Sequence, residues 1–185
     1  MIRVDRLVIP IDYSSARNGT SLSDATTTVL EAAIGFANEQ QEGNTLMAFC
    51  NTDIPSMNLH AADSAKSKDD ILKSSAHKQI QHIMVSATSS ITEVHHIRDA
   101  LARAQIRPDH IVIFCDRWHA VRLRFIWPRI FPLTDIEFRT ASYVRGRDHM
   151  QILLRNRLSW ALANIAGLVA MRIFGISLLA SIRQP

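Results

Sequence analysis

Four short apolar runs, each bounded by polar turns, recur through the first two thirds of the chain: RLVIPI (6–11), TLMAFC (45–50), HIMVSA (82–87) and HIVIFC (110–115). Runs this short and this continuous suit strands of a parallel sheet covered on both faces, where neither side of the strand meets water. A fifth run, DIEFRTA (135–141), alternates Ile136 and Phe138 with Glu137 and Arg139, which predicts an edge strand with one wet face. Between the runs the apolar spacing becomes helical. SDATTTVLEAAIGFANEQQEG (23–43) sets Val29, Leu30, Ala33, Ile34 and Ala37 at helical spacing and ends at Gly43. SSITEVHHIRDALARAQ (89–105) puts Ser90 and Glu93 in capping-box positions and Val94, Ile97, Leu101 and Ala104 on one stripe. Strand and helix in alternation predict an α/β fold, a Rossmann-like, doubly wound, mostly parallel sheet in three layers.

Two segments depart from this rhythm. TDIPSMNLHAADSAKSKDD (52–70) is polar and without a clear period, which predicts a long connection over the sheet edge with a helix beginning near Asp69. At the other end WALANIAGLVAMRIFGISLLASI (160–182) is long enough to cross a bilayer, but Asn164 and Arg172 interrupt it. A central Arg costs roughly 2.5 to 3.5 kcal/mol on insertion scales. Arg155 and Arg157 precede this stretch and Arg183 follows it, a pattern that suits an interfacial helix on anionic lipid or a terminal helix packed on the sheet. Its surplus apolar surface is alternatively buried in a homodimer. The chain is thus read as an α/β domain over 1–150 and a hydrophobic, Arg-flanked helical segment over 151–185.

Charge sharpens the division. The 185 residues carry a formal net charge of +4, but residues 1–115 hold 10 Lys and Arg against 13 Asp and Glu, whereas 116–185 hold 11 Arg against 4 acids. Every basic residue of the last part is Arg, whose planar fork suits phosphate or carboxylate; a GC-rich genome would give the same bias, and a solvated basic face is the simpler alternative. Cys50 and Cys115 are too few for a disulfide scaffold and read as buried thiols, and the N-terminus shows no secretory h-region. The expected location is the cytoplasm, peripheral to the inner membrane if the last helix meets lipid. His95 and His96 are adjacent on a helix and diverge by about 100°, so they predict no zinc site. P-loop, Gly-x-Gly-x-x-Gly and Gly-x-Ser-x-Gly motifs are missing, which removes NTPase, nicotinamide and serine-hydrolase readings. A nucleic-acid partner is the weakest class, because the arginines are not interleaved with an aromatic platform.

The residues with candidate chemistry gather at predicted strand ends. Asp116 follows the 110–115 strand and caps a helix starting at Arg117; His119 and Arg122 share one face of that helix, with His119 in the anion-favouring first turn. Trp118, Val121 and Phe125 form a separate apolar stripe expected to face the core. Asp12, Thr52 and Asp53 also fall at strand ends, where open α/β sheets bind ligands, although plain turn chemistry explains such residues equally.

VIFCDRWHAVRLRFIWPRI (112–130) resembles the signature of the YdcF-like family, also called the ElyC/SanA family, in which a strand ends in a Thr-Ser or similar pair followed by a His and, three residues on, an Arg. The matching positions are Cys115, Asp116, His119 and Arg122, and the likeness runs in order over roughly 7–141. The chain looks like a divergent member. Pro10 to Tyr13 and Asn51 to Asp53 stand where relatives carry glycine pairs, and Thr92 and Glu93 fall where relatives show Asn-Thr-x-Glu-Asn. The resemblance implies a Rossmann-like bacterial domain, linked in some branches to envelope biogenesis, that binds an anionic small molecule, phosphorylated or nucleotide-like, with an S-adenosylmethionine-like cofactor as the other ligand it allows. Two expectations follow. One is a ligand site, enzymatic or not, built from Asp12, Thr52, Asp53, Thr92, Glu93, Asp116, His119 and Arg122. The other is a membrane-peripheral envelope factor without enzymatic activity.

Overall fold

Successive side chains of a strand point to opposite faces, so a strand with no exposed position in its middle must lie inside a sheet covered on both sides. Leu7, Val8 and Ile9, Met47 and Ala48, and Ile111, Val112 and Ile113 are all removed from water. A computed structural model, which describes residues 1–13, 21–40, 43–52, 61–75, 80–141 and 156–176, bears this out. Its strands are β1 (Ile2–Pro10), β2 (Thr45–Thr52), β3 (Gln81–Ala87), β4 (Ile106–Cys115) and β5 (Asp135–Thr140), alternating with helices α1 (Asp24–Glu39), α2 (Ala61–Ser75), α3 (Ser90–Arg103) and α4 (Arg117–Ile130). A last helix, α5 (Arg157–Phe174), follows.

The strands form one sheet in the order β3-β2-β1-β4-β5, and every pairing is parallel. From β1 the chain steps outward through β2 to β3, then returns to lay β4 on the other side of β1. Right-handed crossovers therefore put α1 and α2 on one face, where they pack side by side, and α3 and α4 together on the other. The reversal leaves a crevice at the carboxyl ends of β1 and β4, the usual ligand position in open α/β sheets.

Several elements differ from the expectation, each for a physical reason. β1 and β4 begin about four residues early because their polar starts pair with each other, Ile2 with Ile106 and Arg3 with Arg107, so ladder bonds rather than burial set the limit. The helix expected near Asp69 begins at Ala61, and Lys68 and Leu72, four apart, make its buried contact. The cap of α3 is Ser89 with Thr92, not Ser90 with Glu93: Ser89 Oγ accepts from the Thr92 amide and Thr92 Oγ1 from the Ser89 amide. On α4 the core face is His119, Ala120, Leu123, Ile126 and Trp127, while Trp118, Val121 and Phe125 are only half-buried. β5 is one edge strand, as its alternation predicts; β3 is the other, so its apolar run is half-exposed rather than covered on both faces, having no neighbour beyond it among the described residues.

α5 packs on α4 through Trp160, Ala161, Asn164 and Met171. Asn164, which interrupts the apolar run in sequence, is fully buried, and its side-chain amide donates to the Trp160 carbonyl. The part of the 160–182 stretch beyond residue 176 lies outside the described residues.

Asp116 joins α4 and α5. Its Oδ1 accepts from the Trp118 amide at 2.9 Å, the His119 amide at 3.4 Å and the Trp160 indole at 3.0 Å. Asp116→Ala removes a helix cap and strands a buried indole N–H, so the urea midpoint should fall by the equivalent of about 2 to 3 kcal/mol. Asp116→Asn, which keeps an acceptor oxygen, should lose clearly less.

Candidate functional site

A cavity of about 530 Å³ opens at the carboxyl ends of β1, β2 and β3. Asp12 and Tyr13 follow β1 directly, Cys50 and Thr52 close β2, and Thr88 to Ser90 turn the chain from β3 into α3. Glu93 enters from α3, His119 and Arg122 from α4, and Trp160 with Ala163, Ala166, Gly167 and Ala170 from α5. Its floor is thus polar, and beyond Trp160 the α5 wall is made of small residues.

One half of the floor is organised by Asp12, whose side chain is 3 % exposed. Its Oδ2 accepts from both the amide and the hydroxyl of Thr52 at 2.8 Å, and its Oδ1 from the Thr26 hydroxyl at 3.2 Å. Lys68 from α2, equally buried, stands 3.3 Å from Oδ2 and donates to the Cys50 carbonyl. A buried carboxylate and ammonium compensate each other only with such additional bonds in place.

The other half is centred on His119. Arg122 Nη2 lies 2.8 Å from His119 Nε2 and 2.9 Å from Ser90 Oγ, and Ser90 Oγ lies 2.9 Å from the same Nε2. A guanidinium can only donate, so Nε2 must accept and the imidazole proton sits on Nδ1, facing Tyr13 Oη at 3.3 Å. Burial, with Arg122 adding to it, holds His119 well below the ordinary histidine range, consistent with a neutral ring. Tyr13 Oη also accepts from the Asp116 amide at 2.6 Å, and the Tyr13, His119 and Trp160 rings meet edge to face.

Between the two halves stands Glu93, 4 % exposed, whose Oε1 is buried without a hydrogen-bond partner among the described residues. Burial, and then the charge of Asp12, pushes its carboxyl up to about 8 against the pull of Lys68 and Arg122. Near neutral pH Glu93 is therefore mainly a carboxylic acid, able to donate a hydrogen bond or a proton. Burial also raises Cys50 well above the usual thiol range and Cys115 to about 12, so neither offers a thiolate.

Of the residues singled out in the sequence, Asp12, Thr52, Glu93, His119 and Arg122 come together around this cavity. Asp116 does not line it; its carboxylate is spent on the start of α4 and on Trp160. Thr92 does not line it either, because its hydroxyl closes the α3 cap. Asp53 lies outside the described residues. Sequence reasoning missed Tyr13, Lys68, Ser90 and Trp160. Only Lys68 carried a local signal, its spacing of four from the apolar Leu72. Among the described residues no group of three or more His, Cys, Asp or Glu converges as a metal site.

The opposite shifts of Glu93 and His119 fix a pH profile. From ordinary values of 4.5 and 6.5, the first is raised to about 8 and the second lowered. Just below pH 6.5 the two shifts oppose each other, because the folded chain holds a proton on Glu93 while the unfolded chain gains one on His119. Above pH 6.5 the folded chain holds one proton more, and stability should fall towards pH 8 with a slope of up to about 1.4 kcal/mol per unit. Glu93→Gln should flatten that alkaline side and uncover a loss below pH 6.5, as His119 becomes the only shifted group of the two. Urea midpoints across this range check the prediction; identical slopes in both proteins would show that Glu93 is ionised in the fold.

No family model, curated protein or solved structure matches this chain.

Proposed function

We propose that the cavity binds an anionic small molecule, phosphorylated or nucleotide-like, with its anion held by Arg122 and the first turn of α3. The observation that carries this reading is the Arg122 guanidinium, which lines the cavity and is oriented there by Ser90 and His119. Arg in a partly buried cleft recognises phosphate or carboxylate oxygens in a way a flexible ammonium does not. The beginning of α3 adds the partial positive charge of a helix N-terminus on the same side. Glu93, protonated, supplies a donor to an anion oxygen instead of repelling it. The volume falls in the range of small-ligand sites, and the small residues of α5 leave room for the uncharged part of the ligand.

This arrangement favours a phosphate-bearing ligand over an S-adenosylmethionine-like one, whose sulfonium would meet the Arg122 cation. The likeness to YdcF-like proteins in the His119 and Arg122 motif supports the same assignment, and with it a role in the bacterial envelope. His119, neutral and already accepting at Nε2, acts here as a positioning group for Arg122. Mass spectrometry of small molecules released from gently purified protein should find a phosphate-bearing compound. Arg122→Ala should weaken its binding by about 1.5 to 3 kcal/mol, roughly 10- to 150-fold. Equal recovery of the compound from folded Arg122→Ala protein would overturn the reading.

A further inference from the structure

A second cavity, of about 470 Å³, lies where α3, α4 and α5 meet, away from the strand ends. Arg98, Arg129 and Arg172 converge on it with His95, and among the described residues no acid lines it. Phe125 forms its apolar side, with the Arg129 guanidinium 3.5 Å from the ring centroid and that of Arg172 at 5.8 Å. Arg98 is shared with Asp99 at 2.8 Å on its own helix. Burial and the nearby Arg98 hold His95 below its ordinary value, so the ring does not rival the guanidiniums as a cation.

Beside this basic crevice runs an apolar stripe. Leu158, Leu162, Ile165, Val169 and Ile173 recur at spacings of four and three along α5, and their exposure ranges from 43 % to 68 %. Spacing of this kind puts all five on one side of the helix. Arg172 flanks its far end and Arg157 opens the helix, while Arg157–Phe174 contains no acid. The helix is long and apolar enough to cross a membrane by length and composition, with 22 % of it buried.

We propose that this face docks on an anionic membrane surface, the stripe of α5 entering the acyl boundary while Arg98, Arg129 and Arg172 bind lipid phosphates. Both halves of the surface are then answered by one partner. Apolar side chains in the interface and basic residues against anionic headgroups are the two terms of peripheral binding. A spanning helix is disfavoured because the opposite side of α5 is committed: Trp160, Asn164 and Met171 are buried against the domain and the Trp160 indole donates to Asp116. A second copy is disfavoured by charge, since two such helices paired in either direction bring arginines to arginines with no acid on α5 between them.

Co-sedimentation with vesicles tests this, using phosphatidylcholine alone and phosphatidylcholine with about one third phosphatidylglycerol. The full chain should bind the anionic vesicles and leave the neutral ones. Binding should weaken about fivefold for each of Arg129→Gln and Arg172→Gln, and about tenfold or more for Val169→Glu with Ile173→Glu. All four positions are exposed, and unchanged urea midpoints confirm that the variants fold. Equal binding to both vesicle types would overturn the headgroup assignment. A dimer in light scattering that Val169→Glu dissociates, with no vesicle binding by the native protein, would show that a second copy covers the stripe instead.

Discussion

A carboxylate withdrawn from water at the end of a central strand is unstable unless its surroundings replace every bond it lost, and Asp12 is such a group. The replacements come from three other elements: Thr26 on α1, Thr52 at the end of β2 and Lys68 on α2. Meeting this one requirement therefore ties together the first half of the fold at the end where the crevice opens. It also explains why Glu93 keeps its proton. A second carboxylate near an already compensated one finds burial and a like charge together, and neutrality is the cheaper state.

The second half of the crevice is held differently, by groups that bond in sequence around a neutral imidazole. Arg122 requires an acceptor at His119 Nε2, which places the proton on Nδ1 towards Tyr13, and Tyr13 accepts the amide that opens α4. Trp160 joins through Asp116 and seals the cluster from above. Because this chain of donors and acceptors runs from β1 through α4 to α5, the last helix is part of the crevice as well as its cover.

How much of this is legible in the sequence depends on how local each cause is. Strands buried on both faces announce themselves as unbroken apolar runs, and α4 shows both its Asp116 cap and the His119 and Arg122 pair at a spacing of three. The cap of α3 is ambiguous because Ser89 and Ser90 each have a suitable partner three residues on. The frame that wins, Ser89 with Thr92, releases Glu93 into the cavity. α4 carries two apolar stripes, and only packing against the sheet decides that Leu123, Ile126 and Trp127 go inside. Tyr13 and Trp160 acquire their roles from partners far along the chain, more than 40 residues away, so no pattern near them could mark them.

The wall of Ala163, Ala166, Gly167 and Ala170 separates two properties that most sites mix. Charge and proton positions belong to β1, β2, α2, α3 and α4, whereas the room above them is set by α5. Bulkier side chains at the alanines would shorten the accommodated molecule while leaving its anion-holding groups untouched, so selectivity for size can drift during evolution independently of selectivity for charge. Gly167 is the exception. A Cβ there would stand 3.2 Å from Arg122 Cδ and 3.4 Å from Nη1, so at that single point a change of size is also a displacement of the cation.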